Sequence, residues 1–266
     1  MNGILLTLLI LGVIGILSGL LLSVVSIVMA VKKDEKLEKL ENALPGANCG
    51  GCGFSGCSAY AEALYSGKTE DMSLCSVAGA DGAKAIAEIM GKEAGGFVKK
   101  VAVVRCRGNW DFTHTKMDYE GYNTCSAANQ LFKGLGACAH GCMGFGDCAA
   151  VCPEDAIIVE NGLARVDYDK CIACGKCVKT CPKSIIRLIP YTETTRFVSC
   201  VNREKGALVR KQCTVGCLGC GLCVKKCEHG AITLYNKKAK IDYSKCTGCG
   251  ACQEACPAKC ILDFNG

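Results

Sequence analysis

Cysteine is the residue type whose number and spacing indicate chemistry, since the 266 residues include 25 cysteines. Two runs have the spacing C-x2-C-x2-C-x3-C-P, from Cys171 to Pro182 and from Cys246 to Pro257. In such a run three thiolates on a tight loop face one [4Fe-4S] cubane, and the fourth is carried away to a second cluster. The spacing therefore predicts one-electron chemistry on paired iron-sulfur clusters.

These runs belong to a longer internal repeat whose offset is 75 residues, the distance from Cys138 to Cys213. Residues 166–171, Val-Asp-Tyr-Asp-Lys-Cys, match residues 241–246, Ile-Asp-Tyr-Ser-Lys-Cys. Such self-similarity is typical of a duplicated module, and the spacing is that of bacterial two-cluster ferredoxins. The cysteines that correspond one for one are Cys138, Cys142, Cys148, Cys152, Cys171, Cys174, Cys177 and Cys181 in the first copy and Cys213, Cys217, Cys223, Cys227, Cys246, Cys249, Cys252 and Cys256 in the second.

The crossover rule of that spacing assigns four clusters. The first copy has Phe145 where the second has Cys220, and Cys138 is expected to serve as the substitute ligand. The second copy has Glu228 where a proline is usual. The predicted sets are Cys138, Cys142 and Cys148 with Cys181; Cys171, Cys174 and Cys177 with Cys152; Cys217, Cys220 and Cys223 with Cys256; and Cys246, Cys249 and Cys252 with Cys227.

A different four-cysteine set precedes the repeat and predicts a fifth cubane. Its spacing is C-x2-C-x4-C-x17-C. Glycines between the first three cysteines let the backbone wrap around a bulky cluster. The set is Cys49, Cys52, Cys57 and Cys75.

Four further cysteines could bind a sixth cluster. Two of them follow short predicted strands, and the other two follow polar or basic loops; they are Cys106, Cys125, Cys200 and Cys213. The alternative is that they are reduced, buried thiols, which pack as small hydrophobic residues. Cys260 is predicted to be a free thiol. The histidines, which show no paired metal-binding spacing, are His114, His140 and His229.

Disulfide bonds and zinc ions fit the cysteine pattern less well than iron-sulfur clusters do. A secreted disulfide scaffold conflicts with the odd cysteine count and with the absence of a basic n-region before the apolar N-terminal segment. Zinc ribbons use C-x2-C pairs but do not need three thiolates in a row. With only 7 Phe, 1 Trp and 8 Tyr, the globular part is expected to depend on its clusters for stability and to be largely unfolded without them.

The N-terminal segment predicts a membrane anchor. Residues 3–31 carry no charge and, at about 1.5 Å per residue, are long enough to cross a bilayer core of about 30 Å. Lys32 and Lys33 follow, which predicts that the C-terminal side lies in the cytoplasm. Small residues on one helical face predict close packing against membrane partners; they are Gly12, Gly15, Gly19 and Ser23.

The predicted fold class is α+β, built from small cluster-stabilised modules behind one transmembrane helix. Short hairpins are expected at residues 156–168 and 231–243. The predicted divisions are a transmembrane helix at 1–31, a juxtamembrane linker at 32–45, a helical [4Fe-4S] domain at 46–95, a connecting segment with Cys106 and Cys125 at 96–135, and ferredoxin-like modules at 136–190 and 191–266.

The order of these elements resembles the B subunit of the Rnf complex in its longer, polyferredoxin form. The helical domain is also similar to that of corrinoid iron-sulfur proteins. The resemblance implies an electron-relay subunit of an ion-translocating ferredoxin:NAD+ oxidoreductase in a bacterial or archaeal cytoplasmic membrane. It implies five [4Fe-4S] clusters, or six with the additional set, and as partners ferredoxin and the other membrane and peripheral Rnf subunits.

Charge and motifs agree with an electron carrier. All 31 Lys and Arg residues follow the apolar segment, and the net charge of +6 suits docking of an acidic ferredoxin. The basic residues are dispersed and aromatic residues are scarce, which argues against nucleic acid. The sequence has neither a strand-linked G-x-G-x-x-G motif nor a P-loop, so no NAD or flavin site and no catalytic residue are predicted in this chain.

Two other functions are consistent with clusters on a membrane-anchored chain. One is a redox sensor or structural anchor, which would need only one labile, exposed cluster. The other is an electron-transfer subunit of a related membrane complex with another acceptor, such as a redox-sensing transcription factor. Co-purifying subunits and reduction by ferredoxin would distinguish them.

Overall fold

The uncharged N-terminal segment forms a single long helix, α1 (Asn2–Val28), in a computed structural model of the chain. The structure describes residues 2–28, 34–93 and 96–264. Within them, one helix is long and apolar enough to cross a membrane, with a mean hydropathy of 2.8 over Leu8–Val25 and no buried residue in that window. Lys32 and Lys33, on which the predicted orientation depends, lie outside the described residues.

The chain divides into two compact units, Met1–Lys39 and Leu40–Gly266. The first holds α1. The second holds every cysteine of the sequence. Its helices are short, and those that follow α1 in the chain are α2 (Glu35–Asn42), α3 (Cys57–Tyr65), α4 (Gly79–Met90), α5 (Cys125–Gln130), α6 (Asp147–Ala150), α7 (Lys176–Thr180), α8 (Gly206–Gln212), α9 (Leu222–Lys225) and α10 (Ala251–Glu254).

Helices α3 and α4 form the core of the predicted helical domain. Tyr60, Leu64 and Ile86 are almost completely buried, as is Leu40 of α2. The Tyr60 hydroxyl donates to the Asp71 carbonyl over 2.7 Å, which satisfies its polar group inside an apolar core. The boundaries of this domain in the chain remain predictions.

The strands form four antiparallel pairs among the described residues. The two predicted hairpins are present as β2 with β3 and β6 with β7, each closed by a two-residue turn. The strands are β1 (Lys100–Val104), β2 (Ile157–Glu160), β3 (Leu163–Val166), β4 (Ile186–Pro190), β5 (Phe197–Val198), β6 (Ile232–Tyr235), β7 (Lys238–Ile241) and β8 (Ile261–Leu262).

The remaining two pairs extend the internal repeat towards the N-terminus of each copy. Strand β1 pairs with β4, and β5 pairs with β8 in the same antiparallel sense. Arg105 N donates to the Ile185 carbonyl, as Ser199 N does to the Cys260 carbonyl. The predicted connecting segment therefore begins with a strand that belongs to the sheet of the first copy.

Comparison of the two copies locates an insertion. The offset is 94 residues from Arg105 to Ser199, but 75 residues from Cys138 to Cys213. The first copy therefore has 19 additional residues between Cys106 and Cys138. These residues contain α5 and Cys125.

The two copies pack against each other through an apolar cluster. Its buried members are Val103, Ile189 and Phe197, and aromatic rings surround them. Phe264 of the second copy makes an edge contact with Tyr168 of the first, with ring centroids 4.8 Å apart. Such edge-to-face pairs add to the stabilisation from apolar burial, so this contact fixes the two copies relative to each other.

Candidate iron-sulfur sites

Site A is the set Cys49, Cys52, Cys57 and Cys75, which lines one pocket in the helical domain. Cys57 opens α3, and its backbone N–H donates to Asn48 Oδ1 over 2.8 Å. This contact fixes the end of the helix from which Cys57 projects. Burial raises the pKa of the Cys75 thiol, and the neighbouring thiols Cys52 and Cys57 act in the same direction. The structure thus brings the predicted set together.

Site B differs from the predicted first set in one member. The pocket is lined by Cys125, Cys142, Cys148 and Cys181. Burial and the neighbouring thiols raise the pKa of Cys148 to about 12. Cys125, rather than Cys138, supplies the fourth thiol where Phe145 replaces a cysteine. The prediction that Cys138 completes this set is therefore corrected.

Asp147 holds Cys125 in place. Its two carboxylate oxygens accept hydrogen bonds from the backbone N–H groups of Cys125 and Ser126, at 2.8 and 3.0 Å. These are the first residues of α5, where N–H groups lack partners within the helix. Thr124 caps the same helix by accepting from Ala127 N. The second copy has Leu222 at the position of Asp147, so the clamp belongs to the first copy.

Site C is the predicted set Cys152, Cys171, Cys174 and Cys177. Burial raises the pKa of Cys177 to about 12, and the next largest contributions come from the other three thiols. Cys171 Sγ accepts a hydrogen bond from Ala102 N of β1 over 3.3 Å. Strand β1 therefore supports this set directly.

Site D is the predicted set Cys217, Cys220, Cys223 and Cys256, which lines one pocket together with Cys260. Cys260 is 1% exposed, and its Sγ lies 3.6 Å from Cys256 Sγ. Hydrogen bonding from Cys260 lowers the pKa of Cys256 to about 5 and that of Cys217 to about 6. Cys260 is a free thiol, as predicted, but it is also a hydrogen-bond donor to this set.

Site E is the predicted set Cys227, Cys246, Cys249 and Cys252. Burial raises the pKa of Cys252, and the charges of the other three cysteines act in the same direction. Cys227 Sγ accepts a hydrogen bond from Ala231 N over 3.3 Å. Cys152 Sγ at site C accepts the equivalent bond from Ala156 N over 3.4 Å, so the duplication is preserved at atomic detail.

Site F is the set Cys106, Cys138, Cys200 and Cys213, which lines the pocket between the two copies. The predicted additional set contained Cys125 in place of Cys138, and the structure exchanges these two residues. The amide of buried Asn202 donates to Cys138 Sγ over 3.3 Å and to Gln212 Oε1 over 3.0 Å. Cys106 Sγ accepts from Cys142 N over 3.4 Å.

The donor sets fit cubanes. All 25 cysteines are free, none in a disulfide. Backbone N–H groups and Asn202 point at ligand sulfurs, which is how proteins stabilise cluster thiolates. No group of three His, Cys, Asp or Glu side chains in the described chain is spaced for a single metal ion, whereas a cubane needs its thiolates further apart.

Close backbone contacts shape the ligand loops. Gly144 and Gly219 are equivalent by the repeat and both have positive φ, at 75° and 65°. A Cβ on Gly144 would lie 2.7 Å from Gly162, and one on Gly219 would lie 2.4 Å from the Lys237 carbonyl oxygen. Only glycine lets each loop approach the turn of its hairpin so closely.

The exchange of Cys125 and Cys138 could have been found from the sequence. The two copies differ in length only before Cys138, and the insertion contains one cysteine, Cys125. The copy with the missing ligand at Phe145 is the copy with the added cysteine. Asp147 gave no such signal, because its role depends on a contact 22 residues away in the chain.

Comparisons with known proteins agree with this arrangement. A family model described as an Fe-S cluster matches residues 44–77, and models of 4Fe-4S dicluster domains match residues 134–182 and 216–260. These matches cover site A and the two repeated modules.

Three relatives, all B subunits of ion-translocating complexes, are similar over 82% of the chain. That of the Na+-translocating ferredoxin:NAD+ oxidoreductase complex of Acetobacterium woodii is 49% identical over 220 residues, with 66% of its own length covered. The proton-translocating counterpart of Clostridium ljungdahlii is 40% identical, with 76% covered. That of the ion-translocating oxidoreductase complex of Methanosarcina acetivorans is 36% identical, with 82% covered. The chain thus spans just under two thirds of the first relative and more of the other two.

Proposed function

Because the chain belongs to the family of B subunits of ion-translocating ferredoxin:NAD+ oxidoreductase complexes, we propose that it is the electron-relay subunit of such a complex. It accepts electrons from reduced ferredoxin and passes them to other subunits, where NAD+ is reduced and Na+ or H+ is moved. The observation that carries this proposal is the presence of six four-cysteine sets within one folded unit.

The chain's own residues bind and insulate the clusters. Sites A to F hold one [4Fe-4S] cluster each, and these clusters supply one-electron redox chemistry when bound. Buried positions such as Cys148 and Cys223 exclude water from the ligand sulfurs. Backbone N–H groups and the Cys260 thiol stabilise the negative charge on those sulfurs.

Helix α1 anchors the relay to the membrane. We infer a single crossing with the cluster-bearing unit on the cytoplasmic side, where thiols stay reduced and clusters are assembled. Support comes from the lysines at 32 and 33 and from the net charge of +6. That positive charge also favours the approach of an acidic ferredoxin by electrostatic steering.

Iron content and reduction by ferredoxin test this function. Anaerobically purified full-length protein is expected to contain about 24 Fe per chain, four for each cubane. Reduced ferredoxin should bleach its visible absorbance rapidly. A content near that of one cubane pair, or no reaction with ferredoxin, would contradict the relay.

Single substitutions test the exchanged ligands. Cys125→Ser should alter the electron paramagnetic resonance (EPR) signal of site B, and Cys138→Ser that of site F, because each removes a thiolate from a different set. The two variants together should perturb two clusters. If both changes affect the same cluster, the assignment of sites B and F is wrong.

A further inference from the structure

Site F differs from the other five sites in where its cysteines come from. Cys106 follows β1 of the first copy, and Cys200 follows the equivalent strand β5 of the second. Cys138 and Cys213 are also equivalent, 75 residues apart. Each copy therefore contributes the same pair of thiols. The proposed sets at sites B, C, D and E each come from one copy.

Hydrogen bonds around site F follow the same approximate twofold relation. Cys142 N of site B donates to Cys106 Sγ over 3.4 Å. The equivalent Cys217 of site D makes a backbone hydrogen bond to the Cys200 thiol. A residue of each neighbouring set thus contacts a thiol of site F directly.

We propose that site F binds a cluster shared by the two copies, and that this cluster is the connection through which electrons pass between them. The proposal rests on the proposed function. In each transfer one site loses one electron and its neighbour gains it, so no bond is broken and no proton is required. Reduced ferredoxin is the electron donor.

Contacts place the remaining sites in a single line. At the first end, a Cβ on Gly51 of site A would lie 3.1 Å from the Cys174 carbonyl oxygen of site C, and Ala173 lines the site A pocket. Sites C and B pack together through Cys177 and Cys148 in one core. Sites D and E share the core of the second copy. The order is therefore A, C, B, F, D and E.

The surroundings of site F favour its reduced, more negative state. Arg105 and Arg107 line the pocket. Lys238 is 9% exposed and donates to the Val201 carbonyl beside the pocket over 3.3 Å. Asn202 adds a neutral donor at Cys138 Sγ. Positive charge and hydrogen bonds to sulfur raise the reduction potential of a cluster, so an electron can enter site F from either copy.

The test uses the full-length protein in detergent, mixed anaerobically with reduced two-cluster ferredoxin in a stopped-flow spectrometer. Cys213→Ser and Cys138→Ser each remove one ligand of site F, one from each copy. Cys57→Ser is the matched control, because it removes a ligand from site A at the end of the line. Iron content and EPR spectra establish which clusters each variant retains.

The expected result is a loss of fast-phase amplitude only in the site F variants. In the wild type, both copies are reduced in the same fast phase. In the site F variants the fast phase should cover only the clusters on the ferredoxin side, three or two of the remaining five. The other clusters should be reduced at least about ten times more slowly. If both copies of a site F variant are still reduced at the wild-type rate, the proposal is overturned.

A second variant tests site F without removing a ligand. Asn202→Asp keeps the size of the side chain and can still accept from Glu204 N, which lies 2.8 Å from Asn202 Oδ1. It replaces the N–H donor at Cys138 Sγ with a negative charge. One midpoint potential in an EPR-monitored titration should fall while the others stay unchanged. An unchanged set of potentials would show that no cluster lies beside Asn202.

Failure of the relay function would look different. If ferredoxin does not reduce the wild-type protein, the proposed function is wrong, but the Asn202→Asp titration with a chemical reductant still shows whether site F binds a cluster. If the wild type is reduced rapidly and the Cys213→Ser variant behaves identically, the relay stands and the connection through site F does not.

Discussion

Asp147 replaces a covalent ligand position with a hydrogen-bonded clamp. The first copy lacks a cysteine at Phe145, and the carboxylate of Asp147 positions Cys125 from the inserted segment instead. Hydrogen bonds to charged groups contribute about 1.5–3 kcal/mol each. Asp147→Ala should therefore release α5 and weaken cluster binding at site B.

The expected outcome for Asp147→Ala is loss of the site B cluster on brief exposure to air, while the other clusters persist. Asp147→Asn should be intermediate, because its amide oxygen can still accept from Cys125 N. Asp118→Ala, at an exposed position of the same insertion, serves as the control. Equal air sensitivity of the Asp147→Ala and Asp118→Ala variants would show that the clamp has no role.

Cys260 is predicted to tune site D without binding iron. Cys260→Ala should retain all the iron of the wild type but lower one midpoint potential, because a donor to Cys256 Sγ is lost. Cys260→Ser keeps a donor and should leave that potential closer to the wild-type value. EPR-monitored titration measures both. Loss of four iron atoms in the alanine variant would instead identify Cys260 as a ligand.

At the residue scale, spacing predicted which cysteines act together wherever the ligands are close in sequence. The sets at sites A, C, D and E are brought together as expected. Sites B and F were assigned with Cys125 and Cys138 exchanged, because their ligands come from segments 17 or more residues apart. Spacing rules describe a loop around one cluster, and they carry no information about which distant segment returns to it.

At the element scale, the hairpins were predictable and the other sheets were not. Hairpins β2–β3 and β6–β7 are local and repeat the same motif in both copies. Strand β1 was expected, but its partner β4 lies 82 or more residues away. Strands β5 and β8 are two residues long, too short to show an alternating pattern. Their pairing is instead fixed by packing between the copies.

The hairpin turns are predicted to control the ligand loops. Gly219→Ala would place a Cβ 2.4 Å from the Lys237 carbonyl oxygen. Gly230→Ala meets nothing within 4 Å and has a similar φ, 58° against 65°. The left-handed backbone costs about 1–2 kcal/mol in both variants, and overpacking adds about 1–3 kcal/mol only in the first.

Anaerobic thermal denaturation followed by loss of visible absorbance compares these two variants. Gly219→Ala should lose its site D cluster at a lower temperature than Gly230→Ala, and both at a lower temperature than the wild type. If the two alanine variants lose absorbance at the same temperature, the close approach of the loop to the hairpin turn does not limit stability.

At the scale of the whole molecule, duplication explains the arrangement of the cluster-bearing unit. Two copies of one module pack through matched positions, such as Val103 with Phe197 and Ile189 with Phe264. The sequence predicted the modules from their repeated cysteines. It did not predict the shared site between them, because that site exists only once the copies are packed. The 19-residue insertion then made the copies unequal and gave the first its extra ligand.

Removal of the anchor is predicted to leave the relay intact. The compact cluster-bearing unit begins at Leu40, and α2, which precedes the first cysteine, begins at Glu35. A chain that starts at Asp34 retains both. It should therefore be found in the soluble fraction with the same iron content and the same rapid reduction by ferredoxin as the full-length protein. Cell fractionation, iron analysis and stopped-flow absorbance measure these properties.

The same fractionation separates anchoring by α1 from anchoring by partner subunits. Apolar burial of an 18-residue window with a mean hydropathy of 2.8 does not weaken with salt, so the full-length chain should leave the membrane only with detergent. A truncated chain that stays on the membrane until a high-salt wash would be held by charged contacts with partners. If it resists the salt wash as the full-length chain does, α1 is not the anchor, because the remaining unit then holds the membrane without it.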